Sequence, residues 1–264
     1  NSNYNLPNFV DKNSLVIACS YSGNTEETLD SLDEALAAKA QIFCISSGGK
    51  VVALAQEKKL DHVVIPGGLP PRAALGYSIT QLSSLFEHLG FSNFNTKKEF
   101  TAALDILDKK GPQIIERAKK IAAEIHNKNV VIYSEAMYEA VAVRLRQQLN
   151  ENAKVLCWHH ALPEMNHNEL VGWAGGSKEI AVMNFRNEDD HPRTKERFRI
   201  SKEIMSKYTD SIIDIQSEGD TRIQRSLFLI HLGDWISCFL AELRGVDPIE
   251  VNVIDFLKGS LAKI

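Results

Sequence analysis

Leu15-Val16-Ile17-Ala18-Cys19 runs without a break into Ser20-Tyr21-Ser22-Gly23-Asn24-Thr25-Glu26-Glu27-Thr28, and apolar residues then recur at Leu29, Leu32, Leu36 and Ala40. A short apolar run, a hydroxyl-rich turn and a helical period read as strand, loop and helix. The first backbone N–H groups of a helix have no partner within it and sit at the positive end of its dipole, so an anion there is favoured. Ser20, Ser22 and Thr25 can donate to one such anion, and Gly23 lets the backbone approach it. The competing reading, Thr25 as an ordinary N-cap with Thr28 in the first turn, accounts for one hydroxyl but not for three. No G-x-x-x-x-G-K-[ST] pattern is present, so a nucleotide loop is excluded and one small phosphate is the expected ligand.

Strands and helices alternate outward from this loop. Residues 41–46 read as a second strand, 51–58 as a helix and 62–65 as a third strand, which implies parallel βαβ units with both faces covered. Pro70-Pro71-Arg72 then places an arginine at the start of a helix running to about Leu89. A cation opposes the dipole there, and its planar fork suits a phosphate or enediolate oxygen, so Arg72 is a candidate site residue. Residues 92–127 are highly charged and read as two helices punctuated by Gly111-Pro112, a connection between a first domain over 1–91 and a second over 128–264. The second repeats the plan with strands at 129–133, 154–158, 178–184 and 211–215, but without the serine-rich loop. Leu227, Ile230, Leu232, Trp235, Phe239 and Leu243 form an apolar stripe on a long helix over 222–243, wide enough for a core or a subunit seam.

Polar residues concentrate in His159-His160-Ala161-Leu162-Pro163-Glu164-Met165-Asn166-His167-Asn168-Glu169. A metal site is the weaker reading, because His-Glu-x-x-His is absent and Pro163 prevents a helix spanning His160 and Glu164. The better one is a carboxylate base at a loop-to-helix junction: Glu164, hydrogen-bonded by Asn166, His167 and Asn168, with Glu169 as its competitor. His191, flanked by acids before Pro192, reads on its own chemistry as a solvated turn histidine, and Lys258 as a solvated partner of a helix C-terminus.

Composition sets the outer limits. The chain has 264 residues, 44% hydrophobic and 24% charged, as in a soluble globular protein. A net charge of -4 argues against a nucleic-acid surface, no apolar run approaches the length of a membrane span, and the N-terminus lacks signal-peptide character. Cys19, Cys44, Cys157 and Cys238 have no metal-ligand spacing and read as buried free thiols in a reducing cytoplasm.

Ser-x-Ser-Gly-x-Thr between a strand and a helix resembles the phosphosugar loop of SIS (sugar isomerase) domains. The longer string from Leu15 to Leu29, Pro-Pro-Arg-Ala-x-Leu-Gly from Pro70, Pro-Glu-x-Asn-His-Asn-Glu from Pro163, Asp-His-Pro-Arg from Asp190 and Ile-Asp-x-Leu-Lys ending at Lys258 resemble the bifunctional phosphoglucose/phosphomannose isomerases. The resemblance covers essentially the whole chain. It implies two SIS-type, flavodoxin-like α/β units; nothing here matches the earlier strand and Gly-Gly-Ser loop of the first, so either residues upstream of Asn1 carry them or this copy lacks part of the site. It also implies conversion of glucose 6-phosphate, and of mannose 6-phosphate as a second aldose, to fructose 6-phosphate through a cis-enediolate, with no cofactor or metal. Ser20, Ser22 and Thr25 match its phosphate loop, Arg72 the arginine facing the reacting oxygens, and Glu164 the base. His191 matches a ring-opening histidine supplied to a neighbouring subunit, hence a homodimer, and Lys258 a lysine of the sugar site. Val251 departs from a threonine of dual-specificity relatives, which bears on the mannose activity. Two other expectations are kept: a non-catalytic phosphosugar-sensing regulator, and an isomerase of another sugar phosphate.

Overall fold

The computed structural model describes residues 3–261 and Lys263 and divides the chain into two compact units, Asn1–Thr96 and Lys97–Ile264. The first contains β1 (Leu15–Cys19), α1 (Glu26–Ala37), β2 (Gln41–Ser46), α2 (Gly49–Glu57), β3 (Asp61–Val64) and α3 (Leu75–His88). Its three strands are parallel in the order β1-β2-β3. Alternate strand residues share a face, so Val16, Ala18, Ile42 and Cys44 point together. Leu29, Leu32, Ala35 and Leu36 of α1 and Val51, Leu54 and Ala55 of α2 pack on that face.

The second unit begins with α4 (Thr96–Ile125), whose first residue is the last of the first unit. It continues with β4 (Asn129–Glu135), α5 (Glu139–Glu151), β5 (Cys157–Leu162), α6 (Glu169–Gly172), β6 (Ile180–Arg186), α7 (Pro192–Met205), β7 (Ile212–Gln216), α8 (Arg222–Arg244) and α9 (Asn252–Leu261). All strands are parallel, in the order β5-β4-β6-β7. The first strand of the unit thus has its successors on opposite sides, and ligands of such sheets bind beyond the carboxyl ends of the strands near that reversal. Both faces are covered. Val130, Ile132, Ala181, Met183 and Phe185 bury against α4, α5 and α8, while Val131, Tyr133 and Val182 bury with Leu162, Met165 and Trp173 and with Phe198 and Met205 of α7. Parallel sheets flanked by helices are the expected fold class.

Several boundaries differ from the sequence reading. Residues 96–125 form one helix with Pro112 inside it, not two. The fifth strand occupies 157–162 rather than 154–158, so His159 and His160 lie on it. The buried face of α8 is Arg225, Phe228, Leu229, Leu232, Ile236 and Leu240, and of the expected stripe only Leu232 is buried while Leu243 is exposed. By length and hydropathy α8 alone among the described residues could cross a membrane, contrary to the expected absence of such a run. Its burial in the core of the second unit accounts for that composition. All four cysteines are free, but only Cys44 is buried; Cys19 and Cys238 are exposed.

Candidate active site

In the first unit, Ser20 is buried and its Oγ lies 2.9 Å from Thr25 Oγ1, while the Gly23 N–H donates to the same Ser20 oxygen at 3.2 Å. Thr25 occupies the N-cap position of α1 but makes no side-chain capping bond, so its hydroxyl turns to Ser20 instead. Ser22 is exposed and accepts from the Asn24 N–H at 3.3 Å. The structure therefore joins Ser20 and Thr25 and leaves Ser22 within its own turn. Glu26 and Glu27 fill the first turn of α1, and Glu26 accepts from the Tyr4 hydroxyl at 3.3 Å.

A second loop, Ser46-Ser47-Gly48-Gly49, supports the first. The Ser47 N–H and Oγ both donate to Tyr21 O (2.9 and 2.6 Å), Lys50 N–H donates to Asn24 Oδ1 (3.1 Å) and Val51 N–H to Gly23 O (3.0 Å). A Cβ on Gly23 would stand 1.8 Å from Gly48 O, and one on Gly49 2.4 Å from Ser22 O. The two loops are interlocked backbone to backbone. The Tyr21 hydroxyl donates to Pro66 O (3.2 Å) and accepts from the Leu69 N–H (3.0 Å), tying on the segment before Arg72. Arg72 sits half-buried in a short 3-10 turn, Pro71–Ala74, just before α3.

In the second unit, Glu164 opens a 3-10 turn, Glu164–His167, directly after β5 and the cis Leu162–Pro163 peptide. Glu164 is exposed and its Oε1 accepts from Asn168 Nδ2 at 3.0 Å. Glu169 is held from three sides. Oε1 accepts from the Tyr133 hydroxyl (2.5 Å) and Trp158 Nε1 (3.0 Å), and Oε2 lies 2.7 Å from His160 Nδ1. Trp173 Nε1 donates in turn to the Tyr133 hydroxyl at 3.0 Å. Burial, with Glu169 beside it, pushes the Tyr133 hydroxyl far above its usual range, so it stays a donor. Asn166 bridges the turn to α7, donating to Ser201 Oγ (2.8 Å) and accepting from Arg197 Nη1 (3.3 Å).

His191 is the N-cap of α7, its Nδ1 accepting from the Arg193 N–H at 3.1 Å. Lys258 is exposed on α9, a helix with no buried residue among those described. Among the described residues no group of three or more His, Cys, Asp or Glu gathers as a metal site would require. The sequence reading missed the supporting role of Ser46 and Ser47, although the Ser-Ser-Gly-Gly run at the end of a strand was visible. It also missed the aromatic donors: Tyr133 and Trp158, which the pairing of β4 with β5 brings to Glu169, and Trp173, which donates to the Tyr133 hydroxyl.

Residues 114–261 match the family described as the bacterial phospho-glucose isomerase C-terminal SIS domain, which fixes the class as SIS-domain proteins. A glucosamine-6-phosphate deaminase from Thermotoga maritima has the same fold, with a TM-score of 0.69 over 92% of this chain and 74% of that one at 15% identity. A bifunctional phosphoglucose/phosphomannose isomerase from Aquifex aeolicus is 38% identical over 98% of this chain and 80% of its own length. Another from Caldicellulosiruptor bescii is 38% identical over 100% of this chain and 81% of its own. The chain belongs to the bifunctional phosphoglucose/phosphomannose isomerase family.

Proposed function

We propose that this chain is an aldose–ketose isomerase that interconverts glucose 6-phosphate, with mannose 6-phosphate as a second aldose, and fructose 6-phosphate. The observation that carries the reading is identity of 38% with isomerases of that name over nearly the whole chain. Residues 1–91 and 128–264 are read as two SIS domains joined through 92–127. Ser20, Ser22 and Thr25 hold the substrate phosphate, fixing the carbons for reaction. His191, in a homodimer supplied by the neighbouring subunit, and Lys258 serve opening of the sugar ring. Glu164 takes the proton from C2 and returns it at C1 through a cis-enediolate. Arg72 stabilises the oxyanion that develops, a contribution of about 3 kcal/mol. Every step is a proton transfer between carbon, oxygen and side chains, so the chemistry calls for no redox group. Free thiols and sugar phosphate substrates suit the cytoplasm.

The choice of Glu164 over Glu169 is supported by their partners. Glu169 has both oxygens engaged by three donors, whereas Glu164 is exposed and accepts from the single Asn168 amide. Coupled assays with the two aldose phosphates in separate wells test the function. For the base, Glu164→Gln is expected to lower C2 proton exchange at least about a hundredfold while fructose 6-phosphate still binds. An active Gln variant at 164, with Glu169→Gln inactive, would transfer the role to Glu169.

A further inference from the structure

The loop that precedes α7 is tied down almost atom by atom. Asp190 is 3% exposed, and its two oxygens accept from the Asn187 N–H (2.8 Å) and Asn187 Nδ2 (3.0 Å). Asp189 Oδ1 accepts from the Tyr138 hydroxyl (2.7 Å) and lies 3.1 Å from Arg225 Nη1, and its Oδ2 lies 3.5 Å from Arg222 Nε. Arg225 is buried and also donates to Asp220 O at 3.2 Å. Lys195 Nζ donates to Glu188 O at 2.6 Å. Burial pushes Asp189 up, but the Tyr138 hydroxyl and Arg225 outweigh it and hold this carboxyl below its ordinary value, so the grip on the loop is ionic at neutral pH.

The ring of His191 is fixed with it. Its Nδ1 accepts a backbone N–H, and an imidazole nitrogen that accepts carries no proton. A neutral ring then holds its single proton on Nε2. A protonated ring would set an Nδ1–H against the Arg193 N–H at the positive end of α7, forfeiting the cap.

The geometry points to His191 acting as a neutral Nε2–H hydrogen-bond donor to a sugar oxygen, transferring no proton itself, with Asp189 as the residue that positions it through the loop; Lys258 gives a proton to the ring oxygen as the C1–O5 bond breaks and takes one back from the C1 hydroxyl. This rests on the reading that His191 serves ring opening, and it specifies what kind of help the ring gives. A neutral imidazole at a helix N-terminus polarises an oxygen in the same sense in triosephosphate isomerase.

Ring opening is followed by exchange between the α and β anomers of glucose 6-phosphate in the full chain carrying Glu164→Gln, where isomerisation is blocked. Adding His191→Ala is expected to slow enzyme-dependent exchange about tenfold, the worth of one hydrogen bond. His191→Gln, which keeps an N–H near the same place, should recover most of it. Asp189→Asn and the milder Tyr138→Phe should slow anomer exchange severalfold, while in the Glu164 parent C2 exchange with fructose 6-phosphate falls no further than ring opening requires. In 15N spectra of the imidazoles at about pH 8, above the ordinary histidine range, His191 should carry its proton on Nε2. A proton on Nδ1, or a Gln variant as slow as the Ala variant, would overturn the donor assignment alone. If His191→Ala exchanges anomers as fast as its parent, the underlying role in ring opening is overturned instead. Unchanged exchange in both Asp189→Asn and Tyr138→Phe would remove the positioning role.

Discussion

Gly23 has φ +68°, and a methyl group added to it would meet the carbonyl of Gly48 at 1.8 Å. Both facts act in one direction, since a left-handed conformation disfavours any residue with a Cβ and the neighbour is backbone that cannot turn aside. Gly23→Ala is therefore expected to cost at least about 2 kcal/mol, read as a lower urea midpoint. It should also weaken fructose 6-phosphate binding if the interlocked loops hold the phosphate, whereas Gly76→Ala, with no atom within 4 Å, serves as the control in binding. Sequence spacing revealed Ser20 and Thr25 because strand, loop and helix are local. Glu169 was legible only as a competitor base, because the groups that hold it come from β4 and β5, and the Trp173 that steadies Tyr133 comes from the turn after α6. Local patterns identify residues that carry chemistry. They do not identify the partners that long-range register supplies.

Helices α5 and α8 are joined across their faces by a charged contact. Arg144 Nη2 lies 3.0 and 2.9 Å from the two oxygens of Asp234, and Gln148 Nε2 donates to the same carboxylate at 2.8 Å. The Arg144 side chain is 15% exposed, so removing its carboxylate leaves a largely desolvated guanidinium. Asp234→Ala is expected to cost about 2 kcal/mol, the usual figure for a broken buried pair reduced for the partly exposed Asp234. Arg144→Met with Asp234→Leu should recover most of that loss in a double-mutant cycle; a double variant as unstable as the single one would place the cost in helix packing rather than in the charge. Other polar contacts explain why the buried face of α8 differs from its apolar stripe: Gln224, Arg225 and Ser237 are buried by Glu99 of α4, Asp189 of the loop before α7 and Asn152 just after α5. In β5, His159 and His160 hid the second half of the strand, whose pairing to β4 overrides the weak pattern. In α4, Gly111-Pro112 was read as a break, but a long apolar face from Ile106 to Ile125 packs on the sheet and holds the helix through it.

For the molecule as a whole, the response of stability to pH sums groups that pull in opposite directions. His159 lies below the ordinary histidine value, chiefly through burial with Arg146 adding to it, and burial lowers His231 as well. A histidine depressed in the folded state leaves the unfolded chain to take up the proton first. Its contribution is present above the unfolded value of about 6.5 and is lost as pH falls below it. Glu135 and Asp190 lie above the ordinary carboxylate range, mainly through burial, so the folded state holds their protons longer and their contribution weakens as pH rises from about 4. In mildly acidic solution the two pairs therefore oppose each other, and the slope of the native protein is a difference. His159→Gln removes one of the opposing groups without adding charge. Whatever its cost at pH 7.5, the variant should lose less stability than the parent between about pH 7 and 5.5, seen as a flatter urea midpoint against pH. Parallel curves would mean that His159 titrates alike in the folded and unfolded chain, and that the buried strand end around it is wetter than its 17% side-chain exposure implies.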